Sequence, residues 1–166
     1  LSGEFMKLVW TREDDIRGGY YRPSYFHKAR IGLDSSFNPI AWEHRVVGQG
    51  VFRNTFVIPD SASIDYSSVE WIVGSPYFDG IADHSIQLHT TDQNVPVLPW
   101  RSVGYTHTCF VMESLIDEIA HEQKRDPLAF RKDLVKNYPR YLSVLKTVEN
   151  KSEWSKPAVK GVGKGV

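Results

Sequence analysis

Residues 24–49 read SYFHKARIGLDSSFNPIAWEHRVVGQ, and this stretch decides the fold. Its two halves, 24–33 and 40–49, are rich in β-branched and aromatic residues, which favour strands. Between them, residues 34–39 supply Asp, Ser, Asn and Pro, which favour turns. The pattern predicts one long antiparallel hairpin.

The segment on the N-terminal side of the hairpin predicts a strand followed by a short helix. The strand is assigned to residues 6–10. Thr11 is a candidate N-cap, because its hydroxyl precedes carboxylates at 13–15 that suit a helix N-terminus. The glycines at 18 and 19 are expected to end this helix.

The sequence between the hairpin and the later helices is less regular. Residues 52–80 contain prolines and several serines, and predict mostly loop with a helical turn near 66–71. A further strand fits residues 85–91. Prolines and a glycine then mark an irregular segment over 95–106.

Helices dominate the rest of the chain. Apolar residues recur at spacings of three and four over 109–120, which predicts an amphipathic helix to about Lys124. Asp126 suits an N-cap, with Pro127 at the first position of the next helix. Residues 138–150 predict a third helix, with an apolar side formed by Leu142, Leu145 and Val148.

The order of these elements sets the predicted fold class. Strands come first and helices second, which indicates an α+β fold and not alternating βαβ units. We predict an antiparallel, hairpin-rich sheet followed by a helical segment packed on one face or end. Residues 1–5, before Met6, resemble a cloning remnant, so a single domain is assigned to residues 6–166.

Composition excludes several partners and cofactors. The chain has twenty Lys and Arg and twenty Asp and Glu, so no extended positively charged surface is expected. Nucleic acid is therefore not an expected partner, because binding its phosphates requires such a surface. The single cysteine, Cys109, cannot form an intrachain disulfide, and no cysteine cluster suits zinc or iron–sulfur. No run approaches the roughly 18 to 20 apolar residues of a transmembrane helix.

Several side chains that could act in catalysis or metal binding are interpreted as structural residues. His107 and Cys109, two positions apart on a helix, point about 200° away from each other, so Cys109 is interpreted as a small buried hydrophobe. His84 and His89 face opposite sides of a strand and cannot share an ion.

A polar stripe lies on the first long helix. Glu113, Asp117 and His121 share one face, as ligands of carboxylate metal sites do. Such sites need matching ligands from a second helix, and the later helices offer none. We interpret the stripe as a solvated or interdomain polar face and predict no metal ligands in this chain.

Residues 99–104, PWRSVG, combine an arginine with a glycine where a strand gives way to a helix. Backbone amides in such a turn can face an anion, and a guanidinium can bind one. Most arginines, however, lie at the surface or in salt bridges. The residues alone leave both interpretations of Arg101 open.

Three runs carry a resemblance to a known family. They are KLVWTREDDIRGGYYRP at 7–23, VPVLPWRSVGYTH at 95–107 and ESLIDEIAHEQKRDPLAFR at 113–131. Together they resemble the large, molybdenum-binding subunit of bacterial enzymes of the isoquinoline 1-oxidoreductase and aldehyde dehydrogenase type. These belong to the xanthine dehydrogenase and aldehyde oxidase superfamily. The resemblance extends over residues 7–165.

The resemblance implies cofactor-binding roles for four residues. Arg101 matches the family's loop arginine beside the molybdenum and its pterin. Ser102 and Val103 match positions that face the metal's sulfido side, and Gly104 permits close approach of the backbone. The implied cofactor is molybdenum held by molybdopterin in a pterin dinucleotide form. The helix from Tyr105 would hold this loop rigidly from behind.

Other parts of the family pattern have no counterpart here. The family's general base is a glutamate near the C-terminal end of the subunit, and no residue of this chain matches it. The earlier glycine-rich cofactor loop and most later pterin loops are also unmatched, although residues 160–166 resemble the start of one. The resemblance therefore implies an internal fragment, truncated at both ends, that is inactive alone and binds no cofactor alone.

The resemblance also implies an activity and partners for the intact enzyme. The enzyme would hydroxylate an N-heteroaromatic ring or an aldehyde with oxygen from water, and pass electrons to a two-iron two-sulfur small subunit. Residues 68–71 stand where xanthine-oxidising relatives have a substrate-orienting arginine, which disfavours purines. The resemblance does not decide whether the enzyme lies in the periplasm, at the membrane or in the cytoplasm. Relatives of this type are often exported.

Two alternatives remain open from the sequence. The chain could be an autonomous ligand- or protein-binding domain that shares only the fold. It could also be a foldable fragment without activity, whose apolar faces normally contact the rest of the large subunit and drive self-association.

Overall fold

The computed structural model describes residues 3–52 and 64–166. Its elements run in the order α1 (Arg12–Gly18), β1 (Tyr25–Leu33), β2 (Pro39–Gly48), β3 (Asp83–Thr90), α2 (Tyr105–Glu122), α3 (Pro127–Leu134) and α4 (Pro139–Lys151). Two short 3-10 helices, Tyr66–Val69 and Pro76–Phe78, lie between β2 and β3. The strands precede helices α2 to α4, so the predicted α+β class is confirmed.

The hairpin predicted from residues 24–49 is present. β1 and β2 pair antiparallel, with Tyr25 opposite Gly48. At the turn, the Asp34 carboxylate accepts hydrogen bonds from the backbone N–H groups of Ser36 and Asn38, both at 2.8 Å. These bonds satisfy the backbone of the turn, which is why Asp favours such positions.

β3 lies on the other side of β2 and gives the strand order β1-β2-β3. It runs parallel to β2, with Ala41 opposite Asp83. The predicted strand is therefore confirmed, but the sheet is mixed and not antiparallel throughout. Two neighbouring parallel strands need a long crossover connection, and residues 49–82 connect β2 to β3. Residues 53–63, part of the predicted loop, lie outside the described residues.

The N-terminal segment contains the predicted helix but not the predicted strand. The Thr11 hydroxyl accepts from the Asp14 N–H, and the Asp14 carboxylate accepts from the Thr11 N–H, both at 3.2 Å. Gly19 follows the helix as its C-cap. Residues 6–10 are exposed and form no strand, because no neighbouring strand in the described part of the chain pairs with their backbone.

The core lies between the sheet and the helices. The inner face of the sheet contributes Trp42 and Val46, and α2 contributes Met112, Ile116 and Ala120, all buried. These α2 residues belong to the face predicted from their spacing. The packing brings the first turn of α2 against β1.

Helices α3 and α4 complete the helical half. Asp126 caps α3 by accepting a backbone hydrogen bond at 2.7 Å, with Pro127 at the first position as predicted. On α4, Leu142 and Leu145 pack against the core, whereas Val148, on the same predicted apolar side, is exposed. Of the helices that the structure describes, none combines the length and apolar character needed to cross a membrane.

Candidate functional site

The loop that precedes α2, residues 100–104, has a strained backbone, and we call it the strained loop. Ser102 and Val103 have φ values of 72° and 42°, in the left-handed region that non-glycine residues rarely adopt. Each such conformation costs on the order of 1–3 kcal/mol and persists only where surrounding contacts impose it. Those contacts come from two distant parts of the chain.

Arg22 holds the strained loop from one side. Its guanidinium donates to the backbone oxygens of Arg101 at 3.0 Å and Val103 at 3.4 Å, and to the Thr106 hydroxyl at 2.6 Å. It also lies 6.0 Å from the centre of the Trp100 ring, within reach of cation–π attraction. The sequence pattern does not reveal this contact, because Arg22 and Arg101 are 79 positions apart.

Gly104 anchors the other end of the strained loop. Its N–H donates to the Glu70 carboxylate at 3.0 Å. A Cβ at this position would stand 1.6 Å from the backbone oxygen of Ser67, so only glycine fits. The close approach expected of Gly104 is thus made to the chain's own 3-10 helix, and its place beside a cofactor stays a prediction.

The side chains of Arg101 and Ser102 are among the groups left free in the strained loop. The Val103 N–H donates to the Trp100 oxygen at 2.8 Å, and the Gly104 N–H is also bonded within the chain, so neither amide is available to an anion. Both free side chains are exposed. The Arg101 guanidinium makes no hydrogen bond or ion pair with a residue that the structure describes.

Three histidines, which we call the histidine chain, form successive hydrogen bonds behind the strained loop. His27 Nδ1 lies 3.0 Å from His44 Nε2, and His27 Nε2 lies 2.8 Å from His107 Nδ1. His44 is fully buried, and the other two are half-buried. The alternation of the hairpin places His27 and His44 on one face, but no spacing in the sequence indicates that His107 joins them.

Aromatic side chains border the histidine chain at both ends. The Trp42 indole N–H donates to His44 Nδ1 at 3.4 Å. At the other end, Tyr25 stacks on His107 with ring centres 3.7 Å apart, and its hydroxyl donates to the Gln49 backbone oxygen at 2.9 Å. The histidine chain is therefore held by both strands of the hairpin.

The histidine chain is uncharged at neutral pH. Burial and, to a smaller extent, the neighbouring His27 together lower the pKa of His44 to about 4. Burial, with smaller contributions from His27 and the Arg22 cation, lowers the pKa of His107 to about 4 as well. The pKa of His27 is also lowered by burial. Burial raises the pKa of Tyr25 to about 12, so this ring is neutral too.

The polar stripe of α2 binds a buried arginine. Arg131 of α3 is 1% exposed; its Nε donates to Glu113 at 2.8 Å and its Nη1 to Asp117 at 2.6 Å. The predicted solvated or interdomain face is therefore wrong for Glu113, whereas the Asp117 side chain stays 48% exposed and His121 is exposed. Within the described part of the chain, no group of His, Cys, Asp and Glu is arranged to hold a metal ion.

The remaining candidates occupy ordinary positions. Cys109 is partly buried, and burial raises its pKa, so it stays a thiol and not a reactive thiolate. His84 makes a 2.8 Å hydrogen bond with the Ile81 backbone oxygen, and His89 is exposed. Cys109 is thus less buried than predicted, and His84 and His89 occupy ordinary polar positions.

Comparison with known proteins gives a family and two relatives. A family model described as the molybdopterin cofactor-binding domain matches residues 1–135. The chain is 27% identical over 155 residues to the isoquinoline 1-oxidoreductase subunit beta of Brevundimonas diminuta, covering 93% of this chain and 20% of that protein. It is 27% identical over 140 residues to the membrane-bound aldehyde dehydrogenase (pyrroloquinoline-quinone) of Gluconacetobacter polyoxogenes, covering 81% and 18%. The chain thus spans about a fifth of the length of these relatives.

Proposed function

Since the chain belongs to the molybdopterin cofactor-binding domain family, we propose that it forms one wall of the cofactor pocket in the large subunit of a molybdenum hydroxylase. One observation carries the proposal. Arg22 donates a hydrogen bond to the main-chain oxygen of Arg101, and the Arg101 guanidinium is left unpaired among the described residues. Arg101 is also the residue that resembles the family's loop arginine.

The groups at this loop suit a cofactor rich in oxygen atoms. The Arg101 guanidinium can donate paired hydrogen bonds to phosphate or similar oxygens, and Ser102 adds an exposed hydroxyl. Molybdopterin carries phosphate and carbonyl oxygens, so the donors fit it.

The chain's own residues would bind and orient, while the chemistry comes from the cofactor. When bound, the cofactor supplies the two-electron oxidation that adds an oxygen from water to the substrate. Arg101 would hold an anionic oxygen of the cofactor, Ser102 and Val103 would line the pocket, and Gly104 ties the strained loop to the 3-10 helix. We assign no general base to this chain and place the catalytic glutamate elsewhere in the large subunit.

An N-heteroaromatic compound or an aldehyde is the proposed substrate class. Residues 68–71 offer no cation for a purine: the Glu70 carboxylate binds the Gly104 N–H, and the Trp71 indole donates to Glu113 at 3.3 Å. The names of the two relatives, an isoquinoline oxidoreductase subunit and an aldehyde dehydrogenase, suit the two proposed classes. The sequence resemblance supports a two-iron two-sulfur small subunit as the electron acceptor.

The chain is proposed to work only as part of a longer large subunit, called here the parent subunit. It spans about a fifth of its relatives' length. Several apolar side chains of its N-terminal segment are exposed, among them Leu8 at 82%, Val9 at 71% and Trp10 at 56%. Surfaces of this kind usually contact other parts of a protein. We propose that the parent subunit covers them, and that the chain alone self-associates and is inactive.

Metal analysis tests the proposed function. The parent subunit, expressed from its complete gene together with the gene for its small partner, should contain molybdenum. The 166-residue chain, purified in parallel from the same host, should contain none. Molybdenum in neither protein would contradict the proposal and favour an autonomous binding domain.

A further inference from the structure

The strained loop is joined to residues 20–23 by backbone contacts as well as by a side chain. The Tyr21 N–H donates to the Pro96 backbone oxygen at 2.9 Å, and the Leu98 N–H donates to the Tyr21 oxygen at 3.2 Å. These two bonds form a short parallel bridge just before the strained loop. The backbone next to Arg22 is therefore fixed relative to the strained loop independently of the Arg22 side chain.

The Arg22 guanidinium binds the backbone on both sides of Ser102. It donates to the backbone oxygens of Arg101 at 3.0 Å and Val103 at 3.4 Å. Along the chain, the left-handed φ angles of Ser102 and Val103 lie between these two oxygens. A guanidinium is planar and holds its N–H groups in a fixed arrangement. Binding both oxygens to it therefore restricts both strained angles at once.

Arg22 leaves the side chains of Arg101 and Ser102 free. Its other contacts are a 2.6 Å hydrogen bond to the Thr106 hydroxyl and the cation–π contact with the Trp100 ring. Arg22 is itself half-buried, whereas the Arg101 and Ser102 side chains are exposed. Arg22 thus determines where these two exposed groups lie without contacting either of them.

We propose that Arg22 is a positioning residue, which imposes the strained backbone that places the Arg101 guanidinium at the cofactor and does not itself bind the cofactor. The effect on the cofactor rests on the proposed function, whereas the effect on the backbone rests only on contacts within the chain. Two rival roles of Arg22 are a direct contact with the ligand and a contact that only stabilises the fold. Both rivals predict an effect of Arg22 that does not depend on Arg101.

Nuclear magnetic resonance of the 166-residue chain tests the effect on the backbone. The nuclear Overhauser effect between the amide and α-protons of one residue is strong at left-handed φ, because the two protons are then close together. It should be strong for Ser102 and Val103 in the unchanged chain and weak in Arg22→Gln. Arg17→Gln, at an exposed arginine of α1, is the matched control and should leave both effects strong.

Strong effects that persist in Arg22→Gln would overturn the inference. The loop's own contacts, such as the 2.8 Å bond from the Val103 N–H to the Trp100 oxygen, would then impose the strain without Arg22. If Arg22→Gln does not fold, Arg22→Lys replaces it, since it keeps the charge but lacks the planar pair of donors. The same weakening is expected. This measurement needs no molybdenum, so its failure is distinguishable from failure of the proposed function.

A double-mutant cycle in the parent subunit tests the effect on the site. While Arg101 is present, Arg22→Gln should lower kcat/KM by roughly tenfold, because a misplaced group loses much of its contribution. In the Arg101→Ala background the same change should cost less than about threefold, because no guanidinium is left to misplace. The molybdenum content of the four purified forms reports cofactor retention independently of turnover, and it should follow the same pattern.

Equal losses from Arg22→Gln in the two backgrounds would overturn the inference, because additive effects mean that Arg22 does not act through Arg101. The urea midpoint of the cofactor-free parent subunit then separates the rival roles. It falls in Arg22→Gln if Arg22 only stabilises the fold, and it is unchanged if Arg22 binds the ligand directly. A parent subunit without molybdenum contradicts the proposed function instead, and the result on the backbone of the strained loop still stands.

Discussion

At the scale of single residues, the main chain of Arg101 is held in place independently of its side chain. Its backbone oxygen is bound by Arg22 at 3.0 Å, so its position in the strained loop does not depend on its own guanidinium. The guanidinium is exposed and unpaired among the described residues. Removing the side chain is therefore expected to affect a ligand and not the fold.

Arg101→Ala in the parent subunit should lower kcat/KM by roughly tenfold to hundredfold, because one hydrogen bond to a charged group contributes about 1.5–3 kcal/mol. Stability should change by less than about 0.5 kcal/mol, as for other exposed residues. Steady-state kinetics and urea unfolding measure the two effects. Arg101→Lys is the control that keeps the charge but loses the paired hydrogen-bond geometry. Its kcat/KM should lie between those of the unchanged parent subunit and Arg101→Ala. Unchanged turnover in Arg101→Ala would remove Arg101 from the pocket.

Local pattern and resemblance reveal only part of this site. The resemblance indicated Arg101 and its neighbours, since they lie in one contiguous run. Arg22 and His107 were missed as contacts, because their partners lie 79 and 80 positions away and follow only from the packing of α2. Two of the three histidines could have been placed on one face of the hairpin, but not the third.

At the scale of elements, α2 and α3 are joined by one buried cation. Arg131 donates to Glu113 and Asp117, and Glu113 also accepts from the Tyr77 hydroxyl at 3.0 Å. The Glu113 side chain is 29% exposed and that of Asp117 is 48%. Since solvent can replace a lost partner more easily at the more exposed carboxylate, Glu113 is the stronger contact.

Glu113→Gln should lower the free energy of unfolding by about 1–3 kcal/mol, because it weakens a charged contact to a buried guanidinium. Asp117→Asn should cost less, about 1 kcal/mol. Glu118→Gln, at an exposed position of the same helix, is the matched control and should be neutral. Urea unfolding of the chain provides the measurement. A cost of Glu118→Gln equal to that of Glu113→Gln would contradict the assignment.

The sequence predicted the positions of the helices and strands better than it predicted which strands pair and in which direction. Turn residues and apolar spacing located the hairpin, β3 and the caps of α1 and α3. The direction of β3 was missed, because alternation indicates a strand but not the neighbour with which it pairs. The strand predicted at residues 6–10 was wrong for a related reason: in the described part of the chain nothing pairs with it.

At the scale of the whole molecule, the histidine chain joins the sheet to the helical half through uncharged rings. The unfolded chain binds protons on histidine below about pH 6.5, whereas the folded pKa values of His44 and His107 are about 4. The unfolded state therefore binds more protons between these values. Stability from these residues is complete above about pH 6.5 and is lost as the pH falls toward 4.

The free energy of unfolding should accordingly fall steeply as the pH is lowered from about 7 to about 4.5, with each such histidine adding up to about 1.4 kcal/mol per pH unit. His107→Gln removes one titrating ring, so its slope should be smaller by one proton. His121→Gln, at an exposed histidine, is the control and should keep the full slope. Urea unfolding across this range gives the slopes. Equal slopes for the two variants would contradict the prediction, because they would mean that His107 is protonated as readily in the folded chain as in the unfolded one.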